Sequence, residues 1–147
     1  MEIVEMLDKK LMNLDLKAKD KTSVIEELVD MLVKEGYALS KETVLKAVME
    51  REATASTGVG MGIAIPHGKS NGVTKPSIVF GKSKAGIDFE SLDEQPSYMF
   101  FLITVPEDSA SEHLKALSQL SRRLMNKDVR KQLMEAETTE EVYKVFM

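Results

Sequence analysis

His67 stands in the segment Gly62-Ile63-Ala64-Ile65-Pro66-His67-Gly68-Lys69-Ser70, and it is one of two histidines in 147 residues. An unperturbed imidazole titrates near ~6.5, so much of it is neutral and nucleophilic at neutral pH. Such a ring can act as a base, a metal ligand or a phosphoryl acceptor, or it can be a turn histidine with no chemical part. Proline fixes φ and has no backbone N–H, so an apolar strand Ile63-Ala64-Ile65 is expected to end at Pro66 and deliver His67 into a turn. Gly68 is expected to leave room for another molecule to approach the ring.

His113 and Arg51 are the other candidates. Ser109 and Glu112 have capping-box spacing, which puts His113 in the first turn of a helix. It lies at offsets of 4, 7 and 11 from Leu117, Leu120 and Leu124, so it shares their inward face. There it would sit near helix N–H groups that attract anions and favour the neutral ring. The bland alternative is a half-buried histidine donating to a carbonyl. Two histidines at a helix N-terminus would make a phosphate pocket. Arg51 lies 7 and 3 residues beyond Val44 and Val48, on an inward stripe where a guanidinium needs an anion. Its bland alternative is pairing with the helix C-terminal dipole, or with Glu50 or Glu52.

Other chemistries lack their motifs. Glu112 could join both histidines around a metal, but there is no His-Glu-x-x-His spacing. Gly58-Val59-Gly60-Met61-Gly62 is not a P-loop, and no serine sits in a Gly-x-Ser-x-Gly elbow. Met61, with Val59 and Gly60, is expected to line an apolar rim at His67.

Several elements must position these side chains. Alternation over Leu11 to Leu16 predicts a strand. Asp20 or Ser23 caps a helix carrying Ile25, Leu28, Val29 and Leu32, which stops at Gly36. Ser40 caps a second helix, and a flexible stretch is expected over Ala53 to Gly60. Ser77 to Phe80 reads as a strand, Ile87 to Phe89 as a short extended piece, and the apolar run Tyr98 to Val105 as a central strand stopped by Pro106. Helices follow from Ser109, over Val129 to Ala136, and from Thr139 or Glu140 to Phe146. The interleaving predicts an α/β class: a single domain with a small mixed sheet sandwiched by helices.

Composition narrows the class further. The hydrophobic share of 43% and charged share of 30% suit a globular core. A net charge of −4 argues against nucleic-acid binding. The absence of cysteine excludes disulfides and thiol chemistry. The acidic start Met1 to Glu5 does not read as a signal peptide, and no apolar stretch is long enough to span or insert into a membrane, so a cytoplasmic location is the expectation.

The stretch Ser56 to Ser70, with its Ile-Pro-His-Gly centre, resembles the phosphorylation site of the fructose/mannitol-type enzyme IIA (EIIA) family of the bacterial phosphotransferase system. The resemblance continues through Lys75-Pro76-Ser77, Gly86-Ile87-Asp88-Phe89, Phe100 to Pro106, Glu112-His113-Leu114 and Leu117 to Leu124, in order and across essentially residues 1–147. Gly68-Lys69-Ser70 looks most like the fructose branch, and the nitrogen-regulatory branch shares much of the motif. The resemblance implies that His67 is the phosphoryl-accepting residue, His113 the second active-site histidine and Arg51 the arginine that steadies the phosphoryl group. It implies the carrier protein HPr as donor, the EIIB domain of a sugar permease as acceptor, and no cofactor, neither ATP nor Mg²⁺. A regulatory module whose phosphorylation state controls partner proteins is the alternative, and a small metal-dependent hydrolase built on His67, His113 and Glu112 is a further one.

Overall fold

The apolar run from Ser97 becomes the centre of the sheet in the computed structural model, which describes residues 2–147. Met1, the first residue of the expected unit 1–147, lies outside the described residues. The order is α1 (Ile3–Met6), β1 (Leu7–Asn13), α2 (Lys21–Lys34), α3 (Lys41–Thr54), β2 (Gly58–Gly60) and β3 (Ile63–Ala64). Then come β4 (His67–Ser70), β5 (Ser77–Ile87), β6 (Ser97–Pro106), α4 (Ala110–Leu124), α5 (Lys127–Glu135) and α6 (Thr139–Phe146).

The sheet runs β1-β5-β6-β3-β2, and β4 also pairs with β6. On one side of β6 lies β5, antiparallel; on the other lie β3 and then β4, both parallel. The β1–β5 pair is parallel, so the sheet is mixed. Successive strand residues face opposite sides, and here both sides are covered. One core holds Ile63, Ile65, Ile103 and Val105 against Leu120, Leu124, Leu133 and Phe146 of α4, α5 and α6. The other holds Ala64, Phe100 and Leu102 against Leu28, Val29, Leu32, Val44 and Val48 of α2 and α3. The expected α/β sandwich is what forms.

Several local expectations change. The first strand spans Leu7–Asn13 rather than Leu11 to Leu16. Leu11 and Met12 are buried in succession on opposite faces, so covering both faces erases the alternation there. Asp20, not Ser23, caps α2: its carboxylate accepts from the Ser23 N–H at 2.9 Å. The Ser40 cap of α3 forms. Ala53 and Thr54 belong to α3 and Gly58–Gly60 to β2, so most of the expected flexible stretch is ordered structure. The strand from Ser77 runs on to Ile87, with irregular pairing after Lys82. Ser109 starts α4 without a side-chain cap, so the expected capping box is absent.

Candidate functional site

Pro66 interrupts the sheet without ending it. The Pro66 carbonyl accepts from the Ile103 N–H at 3.0 Å, and pairing with β6 resumes at His67↔Ile103. His67 therefore opens a strand; it does not sit in a turn. Gly68 also differs from expectation, because its empty side is taken by the chain itself. A Cβ there would meet Val48 Cγ2 at 3.1 Å and Val48 N at 3.2 Å, so Gly68 lets α3 pack directly on β4.

Residues 63, 65 and 67 share the face packed by α4, and this brings His113 to His67. The ring centroids are 5.0 Å apart at an interplanar angle of 64°. His67 is 8% exposed and its Nδ1 lies 2.8 Å from the Ile65 carbonyl. A carbonyl only accepts, so Nδ1 carries the proton and the free lone pair is on Nε2. Burial, with the Arg51 charge assisting, lowers the His67 pKa below its ordinary value; the Ile65 hydrogen bond and the Glu52 charge pull the other way. His113 is lowered to about 4, by burial first and then by His67, Lys69 and Arg51. Both rings are therefore neutral at neutral pH. His113 Nε2 and Glu112 Oε2 are buried without a hydrogen-bond partner among the described residues. Such an orphan is costly unless a ligand or partner completes it.

Arg51 stands in the last turn of α3, the helix that packs on β4. It is half-buried, and its Nη1 donates to Thr54 Oγ1 at 3.2 Å and to the Ala55 carbonyl at 3.0 Å. Its guanidinium thus covers the helix C-terminus while its charge acts on both rings. Glu52, rather than Arg51, continues the buried stripe of Val44 and Val48, at 5% exposure. Glu52 follows Val44 and Val48 at intervals of four, so the sequence itself carries the signal for its burial.

Met61 is not at the rim. Four residues of strand separate the Ile63↔Met99 and His67↔Ile103 pairings, roughly 13 Å at the usual rise, and Met61 lies beyond Ile63 in the turn after β2. It lines a cavity of about 500 Å³ with Pro96, Tyr98 and Met134 instead. Among the described residues no three His, Cys, Asp or Glu side chains are grouped to hold a metal ion, so Glu112 does not complete a ligand set with the two rings.

The arrangement is a neutral imidazole with a free Nε2, a second neutral imidazole edge-on to it and a guanidinium charge nearby. It suits taking up and holding an anionic electrophile. The family model for the EIIA 2 component of the phosphoenolpyruvate-dependent sugar phosphotransferase system matches residues 5–147. The chain belongs to this family. It is 44% identical over 142 residues to the fructose-specific EIIABC component of Bacillus subtilis, covering 97% of this chain and 22% of that protein. The chain thus spans about a fifth of the length of that relative. It is 43% identical over 135 residues to the fructose-specific EIIA component of Haloferax volcanii, covering 92% of this chain and 88% of that one. The solved structure of nitrogen regulatory protein IIA-Ntr from Neisseria meningitidis superposes with a TM-score of 0.91 at 33% identity, covering 99% of each chain. EIIA domains are phosphotransfer components, and the expected family and fold both hold. Among the described residues no helix is long and apolar enough to cross a membrane.

Proposed function

We propose that residues 1–147 act as one EIIA unit in which His67 accepts a phosphoryl group from phospho-HPr and passes it to the EIIB domain of a fructose-type sugar permease, at the cytoplasmic side. The observation that carries this is the Nδ1–H bond to the Ile65 carbonyl, which leaves Nε2 as the nucleophile. In the first step the Nε2 lone pair attacks phosphorus, the donor's N–P bond breaks and its electron pair returns to the donor imidazole. In the second step the acceptor nucleophile attacks and the Nε2–P bond breaks. Each step exchanges one high-energy P–N bond for a P–N or P–S bond, so positioning and charge supply the catalysis.

His113 and Arg51 are the groups proposed to meet the phosphoryl oxygens. The partnerless His113 Nε2 and the Arg51 charge felt at both rings support those roles. The fructose assignment rests on the identities of 44% and 43% to fructose-specific components. A regulatory role is the second reading, favoured by the TM-score of 0.91 to the nitrogen regulatory protein.

The test is transfer in two stages. The chain is charged by phospho-HPr, repurified, and mixed with a fructose-type EIIB domain. Passage of the phosphoryl group to EIIB supports the sugar relay. Charging without passage supports the regulatory reading, and no charging refutes the acceptor role.

A further inference from the structure

Glu52 lies in the last turn of α3, where the helix dipole disfavours negative charge, and its side chain is 3% exposed. Burying a carboxylate there is costly unless both oxygens are engaged. They are. Oε2 accepts from the Thr57 N–H at 2.7 Å and from Lys21 Nζ at 3.1 Å, and Oε1 accepts from the Thr57 hydroxyl.

Thr57 carries this clamp onward. Its carbonyl accepts from the Ile65 N–H at 2.9 Å, and the Ile65 carbonyl in turn accepts from His67 Nδ1 at 2.8 Å. Ile65 occupies the gap between β3 and β4, outside the ladder pairings of either strand with β6. Its peptide is therefore oriented from the Thr57 side. We infer that Glu52 is a positioning residue for the phosphoryl acceptor: it holds Thr57, Thr57 holds the Ile65 peptide, and the Ile65 carbonyl keeps the His67 proton on Nδ1 and the lone pair on Nε2.

This inference deepens the proposed function and rests on His67 being the acceptor. A plain structural ion pair between Glu52 and Lys21 would stabilise the fold without setting the tautomer. The two are separated by a readout that stability does not move: the ¹⁵N signals of the His67 ring, which distinguish a protonated from an unprotonated nitrogen. In the native chain Nδ1 is expected protonated and Nε2 bare at neutral pH. Glu52→Ala is expected to give a mixture of tautomers and to slow charging by phospho-HPr by roughly 10–100-fold, the usual worth of a partner that orients a functional imidazole. Glu52→Gln keeps an acceptor for Thr57 and is expected to restore the native tautomer and most of the rate.

A single Nδ1–H tautomer with native rate in folded Glu52→Ala overturns the inference. So does an equal loss in Glu52→Ala and Glu52→Gln with the tautomer retained in both, which would make the role one of charge. If Glu52→Ala does not fold, Thr57→Val, which removes only the hydroxyl arm of the clamp, replaces it: drift of the tautomer supports the inference, and an unchanged tautomer and rate overturn it. The ring signals need no phosphoryl donor. A native chain that takes up no phosphoryl group therefore defeats the acceptor reading separately, while the tautomer still decides the clamp.

Discussion

Phosphorylating His67 should move the titration of His113. The two ring centroids are 5.0 Å apart, and His113 titrates at about 4 in the free chain because burial and neighbouring cations disfavour its charged form. A phosphoryl group on His67 reverses that balance by bringing negative charge to the pocket. At 5.0 Å, one negative charge acting on one positive charge gives about 3 kcal/mol at an effective dielectric of about 20 and about 1 kcal/mol in bulk water. The pocket is half-buried and lies between these limits, so His113 should rise by roughly one to two pKa units for each negative charge felt. The sign follows by linkage. Between the old and new values the phosphorylated chain binds more protons than the free chain, so lower pH favours phosphorylation, at most tenfold per pH unit for this one group. The assay is a pH titration of the His113 ring signals by NMR, before and after charging. A titration unmoved by phosphorylation would mean that the two rings do not share a phosphoryl group.

Other predictions concern the same site. Arg51→Ala and His113→Ala should each slow charging by roughly 10²–10³ while leaving the acceptor in place, as measured by quench-flow with phospho-HPr. Both histidines titrate below their ordinary value, so the folded chain binds fewer protons than the unfolded one below pH 6.5. Stability from this source is complete above 6.5 and is lost as pH falls toward about 4, and urea midpoints across that window should show the loss shrink in His113→Asn. The initial rate of charging, as distinct from its equilibrium, should hold level above neutrality and fall on the acid side of 6.5 as Nε2 of His67 takes a proton and loses its lone pair. Gly68→Ala should destabilise the fold by about 1–3 kcal/mol, because the new Cβ would meet the Val48 backbone nitrogen at 3.2 Å; an unchanged denaturation midpoint would contradict the packing.

The candidate side chains were legible from residue type and local setting, but their meeting was not. His67, His113 and Arg51 come from a strand, a helix start and a helix end on different layers. His67 and His113 meet because β4 pairs with β6 and α4 follows β6, and strand order leaves no mark in hydrophobic periodicity. The interleaved pattern was enough for the α/β class, and the caps at Ser40 and Asp20 were readable because each donor and acceptor lies within four residues. Met61 lies in the turn before β3, so the extended run from Ile63 to His67, roughly 13 Å long, separates it from the ring. The Gly68 contact belongs to α3, distant in sequence, so its role looked like access rather than packing. The missing cap at Ser109 shows that capping-box spacing alone does not make the bond, and it leaves Glu112 with a partnerless oxygen. Helix α1 went unread because it is four residues long, too short for any periodicity to show.

Whether His67 is the phosphoryl acceptor is decided by intact mass after incubation with phosphoenolpyruvate, enzyme I and HPr, with His67→Ala run beside the native chain. One acid-labile phosphoryl adduct is expected on the native chain and none on His67→Ala. An adduct that persists in His67→Ala, or none on the native chain while HPr is demonstrably charged, would contradict it.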